Sequence, residues 1–333
     1  MRVLAQRVSA AHDPAAGPTG RLVPQRTGAW AGIAWLAMAG LTAFWSDAGD
    51  VGPTGLLAVC MAIVGVASLG AAIANLFLNR PTGLQVGPRL VALALVIGLW
   101  EVVTAKLDLL PRPFFATPQS LIEVYADDWP RLGECTLRSL MLLVTGYVLG
   151  AALGFVSGVA IGWSRAIGYW VHPVLRFIGP LPATAWLPLA FFAFPSSWSA
   201  GVFLIALATG FPVTVLTWSG VASVTPAYYD VARTLGARPT FLILKVAIPA
   251  AMPSVFVGLF MVLAGSFAVL VVAEMMGVKA GLGWYLNWAQ GWAAYPNMYA
   301  ALILMALMCS GLITLLFRLR GWLLSWQRGL LRW

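Results

Sequence analysis

Little in this sequence is equipped to make or break bonds. The two histidines, His12 and His172, and the three cysteines, Cys60, Cys135 and Cys309, stand too far apart for a metal site or a disulfide framework, and His172, just ahead of Pro173, reads as a helix-start residue. The three lysines, Lys106, Lys245 and Lys279, are followed by Leu, Val and Ala, so no phosphate-binding loop ending in Lys-Ser or Lys-Thr occurs. The chain is therefore expected to bind no nucleotide of its own. Two ionisable residues stand out by position instead. Arg176 and Glu274 lie in otherwise apolar runs, where a charge is costly and often functional. Arg176 could attract an anion or carry its head to an interface, and Glu274 could face a solute or only cap or pair with a polar neighbour. These two are the candidates for a substrate path.

The longest polar interruption in the second half of the chain runs from Pro226 to Pro253. It reads as helix, turn, helix. Asp230 is expected near the start of a short helix, where the macrodipole favours an acid. Gly236 can take the left-handed conformation that ends such a helix, and Ala237-Arg238-Pro239 restarts the chain. A second amphipathic segment is expected to end at Ile248-Pro249. Uncharged runs flank the stretch on both sides, which makes it a loop between two membrane spans.

Composition fixes the setting of these residues. Of 333 residues 61% are hydrophobic and only 9% charged, against about 25% charged in soluble domains. The chain is an all-α, polytopic membrane protein. Its net charge of +9 comes from Arg residues that fall mostly between apolar runs, a topology signal rather than a nucleic-acid footprint. Residues 1–26, with Arg2, Arg7, Arg21 and Arg26, read as a cytoplasmic tail. The twenty uncharged residues 27–46 can cross a bilayer, and no small-residue cleavage site marks them as a signal peptide. A second span follows in the 29 uncharged residues Val51 to Asn79, and a third from Leu90 to Ala105. A Pro-rich stretch, Leu107 to Pro118, then leads into an amphipathic helix. Ser139 to Ser164 carries Gly146, Gly150, Gly154, Gly158 and Gly162 at four-residue spacing, a bare face suited to close helix packing or, alternatively, to lining a path. The 53 uncharged residues from Phe177 to Tyr229 supply two spans, the first broken by Pro180, Pro182 and Pro188. The last two run from about Pro253 to Ala273 and Tyr299 to Phe317. The count is about eight helices, with both termini and the loop 226–249 cytoplasmic. Trp186, Trp198, Trp218, Trp284, Trp288 and Trp292 suit interfacial belts.

With those residues in place, the loop resembles the signature of the permease subunits of bacterial ABC importers: Glu-Ala-Ala, three residues, Gly, nine residues, then Ile, any residue, Leu-Pro. Asp230-Val231-Ala232, Gly236 and Val246-Ala247-Ile248-Pro249 match it with small changes. Trp100-Glu101 and Leu110-Pro111-Arg112-Pro113 look like the start of that family's core. The stretch from His172 to Pro195, and Ala273-Glu274 followed by Gly281-Leu282-Gly283, are similar to its nitrate, sulfonate, taurine and bicarbonate branch. The resemblance covers roughly 90–333, a six-helix core, and leaves two additional helices over 27–89.

It implies a coupling helix that docks on an ATP-hydrolysing subunit through Tyr229, Asp230, Ala232, Arg233, Thr234, Leu235 and Gly236. It further implies two ATPase subunits carrying ATP and Mg, a second permease copy or a related permease, an external or periplasmic solute-binding protein, and a place in the bacterial inner membrane. The solute would be a small anion or sulfonate-like compound. An ion-coupled secondary carrier would need mid-membrane carboxylates and repeated halves, and a membrane-embedded enzyme a nucleophile–base or metal constellation; the sequence offers neither.

Overall fold

A computed structural model of the chain describes residues 24–49, 52, 54–78, 86–111 and 113–327. The expected tail falls outside these as far as residue 23, as do Arg112, Arg328 and Arg332. Regular structure among the described residues is helical throughout. By packing, the chain divides into two compact units, one ending at Glu123 and the other beginning at Val124.

In the first unit, α1 (Pro24–Phe44) and α2 (Thr54–Leu78) precede α3 (Val86–Lys106). Trp35 and Ala39 of α1, Leu57 and Met61 of α2 and Ala94 of α3 form one apolar cluster. The Trp35 indole N–H donates to the Leu90 carbonyl at 3.1 Å. The last five residues of α3, Val102–Lys106, widen into a π turn. That turn places Lys106, its side chain enclosed, at the end of α1. Its Nζ donates to the Thr42 carbonyl at 3.0 Å, the Trp45 carbonyl at 2.5 Å and Asp47 Oδ1 at 2.7 Å. Glu101 Oε1 lies 3.8 Å from the same nitrogen and accepts from Gln119 Nε2 at 2.6 Å. The amine thus meets carbonyls that a helix end leaves without partners. Substituting Lys106→Met keeps the bulk and removes the donors, so the thermal unfolding of the detergent-solubilised chain should lose about 2 kcal/mol. An unchanged melting curve would show the amine to be dispensable.

In the second unit, α4 (Pro118–Asp127, entering from the first) leads to α5 (Trp129–Trp163), α6 (Arg165–Ile178), α7 (Leu187–Ala193), α8 (Ser197–Ala222), α9 (Pro226–Thr234), α10 (Pro239–Met276), α11 (Leu282–Gly291) and α12 (Tyr295–Leu323). Among the described residues, α2, α3, α5, α8, α10 and α12 are long and apolar enough to cross a membrane. A seventh candidate is α6 joined to the short 3-10 turn and α7, which pass the same test together and are bent by 85°. With α1, apolar over Gly28–Phe44, these are the eight apolar segments read from the sequence. The bend falls at Gly179-Pro180-Leu181-Pro182. Pro180 and Pro182 remove two backbone donors, and the chain leaves the helical region at Pro182, whose ψ is 138°.

The glycine face of α5 packs on α8. Gly146, Gly150, Gly154 and Gly158 are buried, and a Cβ added at Gly158 would stand 2.6 Å from the Thr217 Cβ. At Gly150 an added Cβ would run into the Ala206 backbone. The spacing therefore serves close helix approach. Gly150→Ala should cost about 1–3 kcal/mol because backbone cannot step aside. Gly133→Ala, earlier in the same helix with open space around it, should be neutral or stabilising by up to about 1 kcal/mol. Equal melting shifts for the two would contradict this account.

One boundary differs from expectation. No break occurs at Ile248-Pro249: a π turn over Leu242–Ala247 runs straight into the rest of α10, and the Ile248 N–H donates back to the Ile243 carbonyl. Pro249 lacks a donor and would crowd the carbonyl four residues earlier. The wider π turn just before it absorbs that conflict and lets the helix continue.

Candidate functional site

Three places hold the residues singled out from the sequence. The first is α9. Pro226 occupies its first turn, where the missing N–H costs nothing, so the helix starts earlier than expected and Asp230 sits at its middle rather than near its start. Asp230 pairs instead with Arg233 at 3.4 Å, both side chains largely exposed, an interaction of little energetic weight. The helix ends in a Schellman motif: the Gly236 N–H donates to the Arg233 carbonyl at 2.9 Å and the Ala237 N–H to the Ala232 carbonyl at 3.0 Å. Gly236 has φ +80°, the left-handed geometry its spacing suggested.

The seven residues named for this helix divide by direction. Tyr229 and Ala232 are half-buried, whereas Asp230, Arg233, Thr234, Leu235 and Gly236 are exposed. The Tyr229 ring meets Trp163 edge-on at 5.9 Å and packs on the cluster formed by Val221, Ala247 and Ala251. Burial pushes its hydroxyl above the ordinary tyrosine range. Tyr229 therefore anchors α9 to its own chain. The exposed side adds two residues not named for the docking contact, Tyr228 and Val231, each 61% accessible, beside Leu235 at 83%. Apolar side chains left open on a short polar helix were the signal available.

Glu274 marks the second place. It is fully enclosed near the C-terminal end of α10. Its Oε1 accepts from the Ser139 hydroxyl at 2.6 Å and its Oε2 from the Gly283 N–H at 2.7 Å, while Ser139 Oγ accepts the Leu282 N–H at 2.8 Å. The carboxylate thus pins the start of α11 to α5 and α10. Gly281, with φ +140°, and Gly283 leave room for it, since a Cβ on either would strike its side chain. Nearby, the Arg131 guanidinium lies over the rings of Trp288 at 4.1 Å, Trp284 at 5.2 Å and Tyr285 at 5.5 Å. Tyr285 donates to Asp128 at 2.6 Å. Burial, and then the bond to that carboxylate, raise its hydroxyl pKa.

Arg176 belongs to the third place, a cavity of about 800 Å³ between α6 and α8. Tyr169, His172 and Arg176 line it from α6, Pro180 from the bend, and Phe211 and Trp218 from α8. His172 lies inside α6, not at its start, because Ser164 caps the helix about two turns earlier by accepting from the Ile167 N–H. Its ring meets Trp218 edge-on at 4.4 Å. Glu274 does not line this cavity, so the two substrate-path candidates are not brought together.

Six helices long and apolar enough to cross a membrane, a bent helix pair and a short capped helix between two of the spans define a polytopic membrane protein. Residues 146–329 match the family described as the binding-protein-dependent transport system inner membrane component, and the chain belongs to that family. It is 29% identical over 248 residues to the nitrate import permease protein NrtB of Synechococcus elongatus, covering 71% of this chain and 87% of that one. It is 30% identical over 193 residues to the bicarbonate transport system permease protein CmpB of the same organism, covering 57% and 68%. Among solved structures, the MetNI methionine ABC transporter in an inward-facing conformation shares the fold, with TM-score 0.50 at 14% identity over 58% of this chain and 95% of that one. The chain is an ABC importer permease, a multi-pass membrane protein.

Proposed function

We propose that this permease carries a small oxyanion, of the kind of nitrate or bicarbonate, across the bacterial inner membrane, and that it is driven by two separate ATPase subunits holding ATP and Mg. The chain itself binds no cofactor. A solute-binding protein delivers the anion on the outside, and a second permease copy or a related permease completes the path. Both termini and α9 face the cytoplasm. What carries the reading is α9: a short helix between two spans, stopped by a left-handed glycine, with Tyr228, Val231 and Leu235 open and Tyr229 anchoring it from behind. A partner that grips this exposed side and moves would drag the helices on either end of it. The similarity to nitrate and bicarbonate permeases supports the choice of solute.

The test is to tag the chain in its host, extract it in mild detergent, identify what co-purifies and assay ATP hydrolysis. An ATPase recovered with either a second copy or a related permease, and stimulated by nitrate, bicarbonate or an alkylsulfonate with the binding protein present, is the expected result. Recovery of the chain alone, inert towards ATP after gentle crosslinking, would transfer the reading to an ion-coupled carrier.

A further inference from the structure

The cavity at the bend of the broken span has chemistry that the fold does not require. Arg176 and His172 are four residues apart on α6 and so share a face, and both line the cavity, together with the aromatic rings of Tyr169, Phe211 and Trp218. Neither Asp nor Glu is among its lining residues. Among the described residues the Arg176 guanidinium has no ion pair or hydrogen bond to a side chain or carbonyl, so its planar fork of donors is open. The helix breaks just beyond it, over residues 180–182, and at membrane depth such backbone is tolerated where it borders a cavity or is buried in protein. Gly179 is itself needed there, because a Cβ would strike the Phe211 ring.

We propose that this cavity is a resting site for a small oxyanion within the permease, with the Arg176 guanidinium as its charged ligand and His172 as a second donor held in place by Trp218. The assignment rests on the oxyanion reading above and gives it a location. A guanidinium suits the task because its coplanar N–H groups match two oxygens of a trigonal or tetrahedral oxyanion at once, which an ammonium cannot do. Apolar walls and the absence of a competing acid strengthen the attraction. The aromatic lining lets the anion leave as readily as it enters, since it supplies contact without further charge.

Two measurements test the site separately from the transport reading. In the full chain in lipid nanodiscs, with Cys60, Cys135 and Cys309 replaced by Ser, a Val215→Cys substitution places one thiol at the cavity wall. An anionic methanethiosulfonate should modify it about tenfold faster than a cationic one. Millimolar nitrate or bicarbonate should slow that reaction, and Arg176→Gln should abolish the preference. Equal rates for the two reagents, or no protection by nitrate, bicarbonate or an alkylsulfonate, would overturn the proposal. In vesicles containing the assembled, ATP-energised transporter, Arg176→Gln should lower anion uptake about tenfold or more, with Arg176→Lys intermediate. Parental uptake in Arg176→Gln would leave the arginine an interfacial anchor and remove the site. If the parent itself moves none of these anions while the thiol is still protected, the transport reading fails and the cavity assignment stands.

Discussion

Gly236→Val should reach the membrane at parental abundance and yet lose solute uptake by about tenfold or more, the factor that corresponds to the roughly 1–2 kcal/mol penalty of forcing a residue with a Cβ into the left-handed region. The position has φ +80°, and no atom lies within 4 Å of where a Cβ would stand. Crowding within the chain is therefore excluded as the cause, and the backbone angle is what the substitution disturbs there. A valine would drive the turn towards another conformation, break the two bonds that close the helix and swing Leu235 out of its exposed position. Gly236→Asn, which tolerates this region, should retain most uptake. Asp230→Lys provides a second probe, because it turns the attraction to Arg233 into repulsion on the exposed side. If ATP hydrolysis stayed coupled to solute in both Gly236→Val and Asp230→Lys, α9 would not be the docking element.

Glu274→Ala should be strongly destabilising, at about 2–5 kcal/mol, from two orphaned buried donors and the space its side chain vacates. It leaves the Gly283 N–H and the Ser139 hydroxyl facing a cavity with nothing to accept from them. Glu274→Gln is expected to cost markedly less. Its amide oxygen can still accept from Gly283, and its amide nitrogen can donate to Ser139 Oγ once that hydroxyl turns away. Thermal unfolding of the purified chain in detergent distinguishes the two. Equal losses for Ala and Gln would mean that the negative charge, and not the pair of hydrogen bonds, holds α11 in place.

How far the sequence revealed this arrangement depends on the range of the interaction concerned. The glycine face of α5 was legible because its period is local and its partner only has to be another helix. Gly236 was legible for the same reason, as a glycine at a fixed distance from the end of a short helix. Asp230 was misplaced because Pro226 begins the helix four residues before the acid, and Pro249 because a π turn has no periodic signature in the sequence. The enclosed cluster of Lys106, Asp47 and Glu101 could not be read at all. Lys106 meets Asp47 from 59 residues away, and each, taken alone, looks like an ordinary marker of a span's end. Of the two intramembrane candidates, position in the chain drew attention to Arg176 and Glu274 equally. Only packing separates them, giving one an open cavity and the other a closed set of hydrogen bonds.

The continuity of α10 has a mechanical corollary. From Pro239, three residues past the glycine that stops α9, to Met276 beyond Glu274, the chain is a single helix of 38 residues, on the order of 57 Å long. A push delivered at its first turn cannot be dissipated in a loop, because none intervenes. It is carried as in a lever arm, with the π turn and the helix-internal Pro253 as its points of give, to the residue that fastens α11.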